Sequence, residues 1–297
     1  MKTKKRIGIY CKTFDKIPFD IINKIIILIN QKGGCVSIYK PLLEMLITHI
    51  DKNITYSTFA NETELANNAD VIFSIGGDGT FLGTVPFVCN NNIPVLGINT
   101  GRLGFLANVS SIEIEEAIND WFKNNYNFET KTLLQISGNK LPFKTNENYA
   151  LNDITIRRGE NASMLSFYVE IDGVFLNTYW ADGIIISTAT GSTAYSMSCG
   201  GPILAPGTKA FIITPIASHA LTVRPLVISD SSEIKVKITG RECNYSLGID
   251  SKSFSLNSSS ELIINKASKE IKVVCLKKHS FYNTIREKLL WGFDKRN

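Results

Sequence analysis

Residues 71–80 read VIFSIGGDGT, and this stretch decides the fold of the first half of the chain. Val71 to Ile75 is a short run rich in β-branched and aromatic residues that glycines stop, which predicts a buried strand entering a tight turn. The residues from Thr80 to Val88 predict a short helix. A strand, a glycine turn and a helix start together present backbone N–H groups to a phosphate, and glycine lets the main chain approach it closely.

A single carboxylate, Asp78, lies inside this turn. A negative charge at an anion site is unfavourable unless it serves chemistry, by taking a proton or by holding Mg²⁺ on the phosphates. The alternative is a plain β-turn in which Asp78 caps the helix. A P-loop is excluded because no lysine follows the glycines. A Rossmann fingerprint is disfavoured because the next strand, Ile93 to Ile98, ends in Asn99-Thr100-Gly101 and not in an acidic residue.

The composition indicates a globular protein with one large or two ordinary domains. The chain has 297 residues, of which 44% are hydrophobic and 20% charged, and its net charge is +5. The basic residues are scattered, so no nucleic-acid partner is expected. The apolar segment from Ile21 to Ile29 is too short to span a bilayer, so no membrane partner is expected. Six cysteines without a C-x-x-C pair predict reduced thiols in a cytoplasm, and three dispersed histidines predict no zinc site.

The first half alternates strands and helices, which predicts a mostly parallel sheet covered by helices. Strands are expected at 7–10, 36–39, 71–75 and 93–98. Helices are expected from Phe19 to Ile29, where Gly33 and Gly34 end the helix, and after Pro41. Ser110 and Glu113 predict a capping box ahead of a further amphipathic helix that includes Trp121.

From about residue 128 the pattern becomes that of antiparallel β-structure. Leu165 to Ile171 alternates apolar and polar residues and ends at Asp172-Gly173, a strong hairpin signal. More strands are expected at 184–187, 211–216, 226–228, 234–238 and 271–276. A helix follows, with Phe281, Ile285 and Leu289 on one face. We therefore expect an α/β domain at 1–128, with 277–297 packing back on it, and a β-rich domain at 129–276.

Three clusters in the second half are too polar for their surroundings. Asn152 and Asp153 lie between apolar residues at the edge of a strand. Asp182 precedes the very apolar run Ile184 to Ile186. Residues 190–196 are crowded with hydroxyls and contain Tyr195, whose ring would stack on a base. Taken singly, each cluster also fits a turn or loop; together with the glycine turn they predict a nucleotide cleft.

These motifs, in this order, resemble the NAD kinase family. The matching segments are GGDGT at 76–80, NTGRLGFL at 99–106, LND at 151–153, ADGIIIST at 181–188, TGSTAY at 190–195, GGPI at 200–203 and RPLVI at 224–228. The TGSTAY block is the most specific of them. Ala189 replaces a proline that is usual in the family, and Lys252 stands where a glutamine is frequent.

The resemblance implies an ATP-dependent NAD kinase, which makes NADP, and it implies roles for particular residues. Asp78 is the expected catalytic base, acting on the 2′-hydroxyl of the adenosine ribose. The expected ATP phosphate contacts are Gly76, Gly77, Gly79 and Thr80. The expected NAD-binding residues are Asp78, Gly79, Asn152, Asp153, Asp182, Thr193, Ala194, Tyr195, Ser196, Met197, Ser198 and Ala217.

Mg²⁺ is expected to arrive with ATP, and no resident metal site is expected. Arg102, Arg157 and Arg158 are candidate phosphate contacts. A homo-oligomer, a dimer or a tetramer, is expected. Two rival functions share parts of this pattern: a diacylglycerol- or sphingosine-type lipid kinase, which has a similar glycine turn, and a non-catalytic dinucleotide-binding regulator. The lipid kinase requires a membrane-docking surface that the sequence does not offer, and the regulator gives Asp78 no purpose.

Overall fold

A computed structural model of the chain describes residues 4–12, 18–50, 54–139, 141–143, 147–159, 165–240, 244–256, 260–277 and 280–291. The chain divides into two compact units. The first contains residues 1–130 and 271–297, and the second contains residues 131–270. No helix in the described part of the chain combines the length and the apolar character that crossing a membrane needs.

The first unit has a parallel sheet with the strand order β3-β2-β1-β4-β5. Its elements up to residue 123 are β1 (Arg6–Tyr10), α1 (Phe19–Gln31), β2 (Cys35–Tyr39), α2 (Lys40–Leu46), β3 (Tyr56–Phe59), α3 (Glu62–Asn68), β4 (Val71–Ile75), α4 (Asp78–Leu82), α5 (Val85–Val88), β5 (Val95–Ile98) and α6 (Ile114–Lys123). Because helices cover a parallel sheet, its inner strand β4 is buried at every position.

Local sequence signals explain where these elements begin and end. Pro41 lies in the first turn of α2, where its missing N–H has no intrahelical partner to lose. Ser110 and Glu113 form the predicted capping box, which leads through a short 3₁₀ turn into α6. One face of α6, including Trp121, is buried in the core of the first unit.

The second unit is built from antiparallel strands. Its elements, with β6 entering from the first unit, are β6 (Tyr126–Gly138), β7 (Tyr149–Ala150), β8 (Asp153–Arg158), β9 (Leu165–Ile171), β10 (Val174–Ala181), β11 (Gly183–Thr188), α7 (Tyr195–Ser198), β12 (Ala210–Ile216), β13 (Leu226–Ser229), β14 (Ile234–Thr239), β15 (Tyr245–Ile249) and β16 (Lys252–Leu256). One sheet has the order β13-β12-β11-β8-β15-β16. A second group of strands has the order β10-β9-β14, and β14 pairs with the strand that follows β16 in the chain.

The predicted hairpin at Asp172-Gly173 is confirmed. Ile171 pairs with Val174 across the turn, and both turn residues have positive φ, 52° and 79°. This backbone conformation matches the right-handed twist of the two strands that the turn joins.

Two more elements follow in the part of the chain that the structure describes. Strand β17 (Glu261–Leu276) pairs with β14 in the second unit, and its Val273 pairs in parallel with Val95 of β5 in the first. Helix α8 (Phe281–Leu289) then returns to the first unit, where Phe281 packs against Phe105. The predicted fold class, a parallel α/β domain and an antiparallel β domain with a returning C-terminal helix, is confirmed.

Candidate active site

The glycine turn at the end of β4 has the strand–turn–helix geometry that the sequence predicts. Gly76 has a φ of 149°, and a β-carbon there would lie 2.3 Å from the Thr80 hydroxyl oxygen, so only glycine fits. A β-carbon at Gly77 or Gly79 would meet nothing within 4 Å. The N–H groups of Thr80 and Phe81 donate to the Gly77 carbonyl at 3.0 and 3.1 Å, so the donors that α4 offers an anion are those of its first two residues.

The carboxylate of Asp78, the first residue of α4, is held by three consecutive backbone N–H groups. The N–H of Phe105 donates to Oδ2 at 2.9 Å, and those of Leu106 and Ala107 donate to Oδ1 at 3.0 and 2.9 Å. A β-carbon on Gly104 would lie 2.0 Å from Oδ1. The NTGRLGFL segment therefore wraps its main chain around this carboxylate, which gives that motif a physical purpose.

The loop that holds Asp78 is closed on itself by Asn99. The Asn99 side chain donates to the carbonyl of Arg102 at 2.5 Å and accepts from the N–H of Gly101 at 2.7 Å. Arg102, a candidate phosphate contact, is exposed at the surface of this loop. The side chain of Asp78 is 29% exposed, so it stays reachable from solvent although its orientation is fixed.

In the second unit, the Asn152–Asp153 pair is held by a carboxylate that the sequence analysis did not select. Asp250 Oδ2 accepts from the N–H of Leu151 at 2.8 Å, and its Oδ1 accepts from those of Asn152 and Asp153 at 2.8 and 3.2 Å. The N–H of Asp250 donates back to the carbonyl of Asp153 at 3.0 Å. The only sequence signal was an acidic residue directly after the apolar strand Tyr245–Ile249.

Burial perturbs these two carboxyl groups, and charge repulsion adds to the effect at Asp153. Asp153 is only 6% exposed, and burial, followed by the negative charge of Asp250, raises its pKa to about 7. Burial raises the pKa of Asp250 to about 6, although its three backbone hydrogen bonds oppose the shift. Strong perturbation of this kind is typical of functional sites.

Residues 190–198 lie beside the Asn152–Asp153 pair. A β-carbon on Gly191 would lie 2.0 Å from the Asn152 carbonyl oxygen, and the N–H of Thr188 donates to that carbonyl at 2.9 Å. The Ser196 and Thr214 hydroxyls are 2.8 Å apart. Cys199 follows α7, and its pKa is raised, first by burial and also by the charge of Asp153. A hydrogen bond with Tyr195 opposes this shift. The structure therefore brings Asn152, Asp153 and residues 193–198 together.

The structure places Asp182 and Ala217 at the opposite end of β11. Asp153 pairs with Ser187 near the last residue of this strand, whereas Asp182 precedes its first residue, Gly183, which pairs with Ile216. At a rise of about 3.3 Å per residue the two ends of the strand are about 16 Å apart.

The surroundings of Asp182 and Ala217 are themselves distinctive. Arg158 Nε lies 2.8 Å from Asp182 Oδ1, and both side chains are partly exposed. Ala217 has a φ of 47°, a conformation that residues other than glycine rarely adopt and that often marks functional positions. Arg157, the other candidate phosphate contact on β8, is exposed at this end. Lys252 forms an ion pair of 2.8 Å with Glu147.

A glycine turn at the start of a helix with a fixed carboxylate inside it, as in the first unit, indicates an enzyme of the phosphoryl-transferring class. The family model for the ATP-NAD kinase N-terminal domain matches residues 32–126, and that for the ATP-NAD kinase C-terminal domain matches residues 151–276. The chain belongs to the NAD kinase family, which confirms the resemblance predicted from its motifs.

Individual relatives agree over nearly the whole length. The chain is 41% identical over 293 residues to an NAD kinase of Flavobacterium psychrophilum, covering 98% of this chain and 100% of that one. It is 42% identical over 269 residues to an NAD kinase of Bacteroides fragilis, covering 91% and 92%.

Two solved structures share the fold. Yeast NADH kinase complexed with NADH superposes with a TM-score of 0.87 at 25% identity, covering 98% of this chain and 89% of that one. An NAD kinase from Archaeoglobus fulgidus in complex with ATP gives a TM-score of 0.71 at 25% identity, covering 96% and 98%.

Proposed function

We propose that this chain is an NAD kinase that transfers the γ-phosphate of ATP to the 2′-hydroxyl of the adenosine ribose of NAD, giving NADP. Membership of the family and relatives named NAD kinase support the overall reaction. The observation that carries the chemistry is the carboxylate of Asp78, fixed by three backbone N–H groups inside a glycine turn. Such a group is costly beside phosphates unless it accepts a proton.

ATP enters as its Mg²⁺ complex, so the metal is part of the substrate. Its phosphates contact the turn formed by Gly76, Gly77, Gly79 and Thr80, where the open space above Gly77 and Gly79 lets an anion approach the backbone. Mg²⁺ offsets part of the phosphate charge.

Asp78 acts as the general base of the transfer. Its carboxylate takes the proton of the 2′-hydroxyl, the ribose oxygen forms a bond to the γ-phosphorus, and the bond from that phosphorus to the bridging oxygen breaks. ADP leaves with the electron pair of that bond. Positioning of the two substrates supplies most of the catalysis in reactions of this type.

The second unit binds the dinucleotide. Asn152 and Asp153 hold a ribose or the nicotinamide end through hydrogen bonds. Residues 193–198 contact the other ribose and the adenine, and Tyr195 stacks on a base. An ionised carboxylate accepts more hydrogen bonds from ribose hydroxyls than a protonated carboxyl group does, so this role of Asp153 favours its ionised form.

The chain functions as a homo-oligomer, a dimer or a tetramer. Asp182 and Ala217 also bind NAD. About 16 Å along β11 separates them from the Asn152–Asp153 pair, so they contact a different part of the extended dinucleotide. Light scattering of the purified protein tests the oligomeric state, and a monomer would contradict it.

The enzyme acts in the cytoplasm and without a nucleic-acid or membrane partner. The cysteines that the structure describes are all free of disulfides, which fits a reducing compartment, whereas Cys243 lies outside the described residues.

Purified protein with ATP, Mg²⁺ and NAD tests the proposed function directly, with phosphorus NMR of the product to locate the new phosphate. We expect NADP as the product and no phosphorylation of an NAD analogue that lacks the adenosine 2′-hydroxyl. NADH, diacylglycerol and sphingosine complete the substrate panel. Turnover of either lipid at a rate comparable to that of NAD would favour the lipid kinase, and binding of NAD without turnover would favour the regulator.

A further inference from the structure

A lysine from the far end of the chain lies next to the proposed base. Lys288, near the end of α8, places its Nζ 3.5 Å from Asp78 Oδ2. The same Nζ lies 4.5 Å from the centroid of the Phe105 ring. That ring also contacts Phe281 at the start of α8, with 6.2 Å between the centroids. The helix is thus held against the loop that fixes Asp78, and Lys288 is directed at the carboxylate.

Among the residues that the structure describes, the hydrogen bonds to Asp78 leave one acceptor position open. An ionised carboxylate has about four acceptor positions, two on each oxygen. Leu106 and Ala107 use both positions of Oδ1, and Phe105 uses one of Oδ2. The remaining position belongs to the oxygen beside Lys288. At 3.5 Å, which is longer than a normal N–H···O hydrogen bond, the ammonium group occupies this position only loosely, and a substrate hydroxyl can displace it.

A hydroxyl that gives its proton to Asp78 must therefore do so at Oδ2, next to Lys288. The cation then lies beside the oxygen that attacks the phosphorus. Phosphoryl transfer is accelerated by cations that stabilise the charge on the transferring group, and the P-loop takes such a lysine from its own loop. The glycine turn of this chain contains no lysine, and α8 brings one to the same carboxylate.

We propose that Lys288 is a further catalytic residue, which holds the open position of Asp78 in the resting enzyme and contacts the transferring phosphoryl group when the acceptor hydroxyl takes that position. This inference rests on the proposed kinase reaction. During the step the hydroxyl proton passes to Asp78, the new P–O bond forms, and the bond to ADP breaks. Lys288 keeps its proton throughout.

This role has a kinetic signature that a structural role lacks. Lys288 and the substrate hydroxyl compete for one position on Asp78, so removal of the ammonium group should not weaken NAD binding. The same change removes a cation from the transition state and should lower kcat. A merely structural contact would instead lower stability, or alter kcat and KM together through disorder.

The test compares four proteins: wild type, Lys288→Met, Lys288→Arg and Arg286→Met. Methionine keeps an unbranched stem over the Phe105 ring and lacks the charge, whereas arginine keeps the charge. Arg286→Met is the matched control, because it removes one positive charge from the same helix at an exposed residue that pairs with Asn283. For each protein we would measure kcat, the KM of NAD, the NAD dissociation constant and the thermal midpoint.

We expect kcat of Lys288→Met to fall by about 10²-fold, the loss typical of removing one group that stabilises transition-state charge. Its KM for NAD should stay equal to that of wild type or decrease, and its thermal midpoint should match that of Arg286→Met. Lys288→Arg should recover part of the lost kcat.

Equal kcat values for Lys288→Met and Arg286→Met, with wild type active, would overturn this inference and leave the kinase assignment intact. A large loss of thermal stability in Lys288→Met together with no recovery of kcat in Lys288→Arg would also overturn it, since it would indicate a structural role. A wild-type protein that forms no NADP would overturn the proposed function itself.

Discussion

Asp78 in the first unit and Asp250 in the second are held in the same way: each carboxylate accepts hydrogen bonds from three consecutive backbone N–H groups, two on Oδ1 and one on Oδ2. Their electrostatic surroundings differ. Asp78 lies beside the cation of Lys288, whereas Asp250 lies beside a second buried carboxyl group, Asp153. We call each carboxylate with its three N–H donors a clamp: the first clamp is at Asp78 and the second is at Asp250. Each clamp follows the end of a strand.

The difference indicates how one backbone device serves two tasks. The Asp78 carboxylate lies next to a cation and is partly exposed, so a substrate hydroxyl can reach it, which suits a proton acceptor. Asp250 instead orients the Asn152–Asp153 pair, and its charge adds to burial in making ionisation of Asp153 costly. We infer that the first clamp serves chemistry and the second serves binding.

The largest effect is expected when the first clamp loses its charge. Asp78→Asn should lower kcat by about 10²–10⁴-fold, the usual contribution of a general base, while NAD binding stays close to wild type. Steady-state kinetics and calorimetric NAD titration measure both quantities. Asp70→Asn is the control, because Asp70 is an exposed carboxylate of the same unit that pairs with Arg6. Near wild-type turnover of Asp78→Asn would make the turn purely structural.

The first clamp can also be disturbed without touching its carboxylate. In Gly104→Ala the added β-carbon would lie 2.0 Å from Asp78 Oδ1, so the carboxylate must shift. Misplacement by about 1 Å costs on the order of 10²-fold in rate, and we expect a loss of that size in kcat. Gly101→Ala is the matched control, since its β-carbon would meet nothing within 4 Å. Equal activities of the two variants would show that the position of Asp78 is not critical.

The second clamp should show itself in pH dependence. Burial raises the pKa of Asp153 from 3.8 to about 7, so the folded state holds this proton more tightly than the unfolded state. The contribution of this group to the free energy of unfolding is therefore fully present below about pH 3.8 and is lost as pH rises through about 7. Removing the ionisable group in Asp153→Asn should raise stability more at pH 8 than at pH 5, by about 2 kcal/mol.

Denaturant unfolding at the two pH values measures this difference, and the affinity for NAD gives a second readout. Wild-type affinity should increase as pH rises through 7, because the ionised form of Asp153 accepts the ribose hydrogen bonds, whereas Asp153→Asn should bind weakly at both values. A variant with no differential stabilisation would place the perturbed group elsewhere.

The smallest effect is expected at Tyr195, in the segment beside the Asn152–Asp153 pair. Tyr195 is 37% exposed, and a stacked base–aromatic contact contributes about 1–3 kcal/mol. Tyr195→Ala should therefore raise the KM of NAD about tenfold with little change in kcat, since stacking acts on ground and transition states alike. Tyr195→Phe should retain wild-type kinetics. An unchanged KM in the alanine variant would remove Tyr195 from the site.

Sequence reasoning worked where the signal is local. The glycine turn, the capping box at Ser110 and the hairpin at Asp172-Gly173 each depend on a few adjacent residues, and each is present. Helix α3 was missed because it buries only Leu65 and offers no apolar stripe. The short strand β3 that precedes it was missed as well.

The clamps could not be predicted because they join residues that are far apart along the chain. The contact of Asp250 with residues 151–153 and that of Lys288 with Asp78 depend on strand register and on the return of α8. Sequence motifs did identify the Asn152–Asp153 pair and the NTGRLGFL segment, but not what holds them. The separation of Asp182 from Asp153 likewise follows from the antiparallel pairing of β11 with β8.

The division of the two clamps between chemistry and binding is tested most directly by the Asp250→Asn variant. The decisive measurement is its single-turnover rate of NADP formation at saturating NAD, taken together with its NAD dissociation constant. We predict weakened NAD binding, because Asn152 and Asp153 lose their fixed orientation, and a single-turnover rate close to wild type once NAD saturates the site. A rate at saturation that falls as far as that of Asp78→Asn would contradict the account.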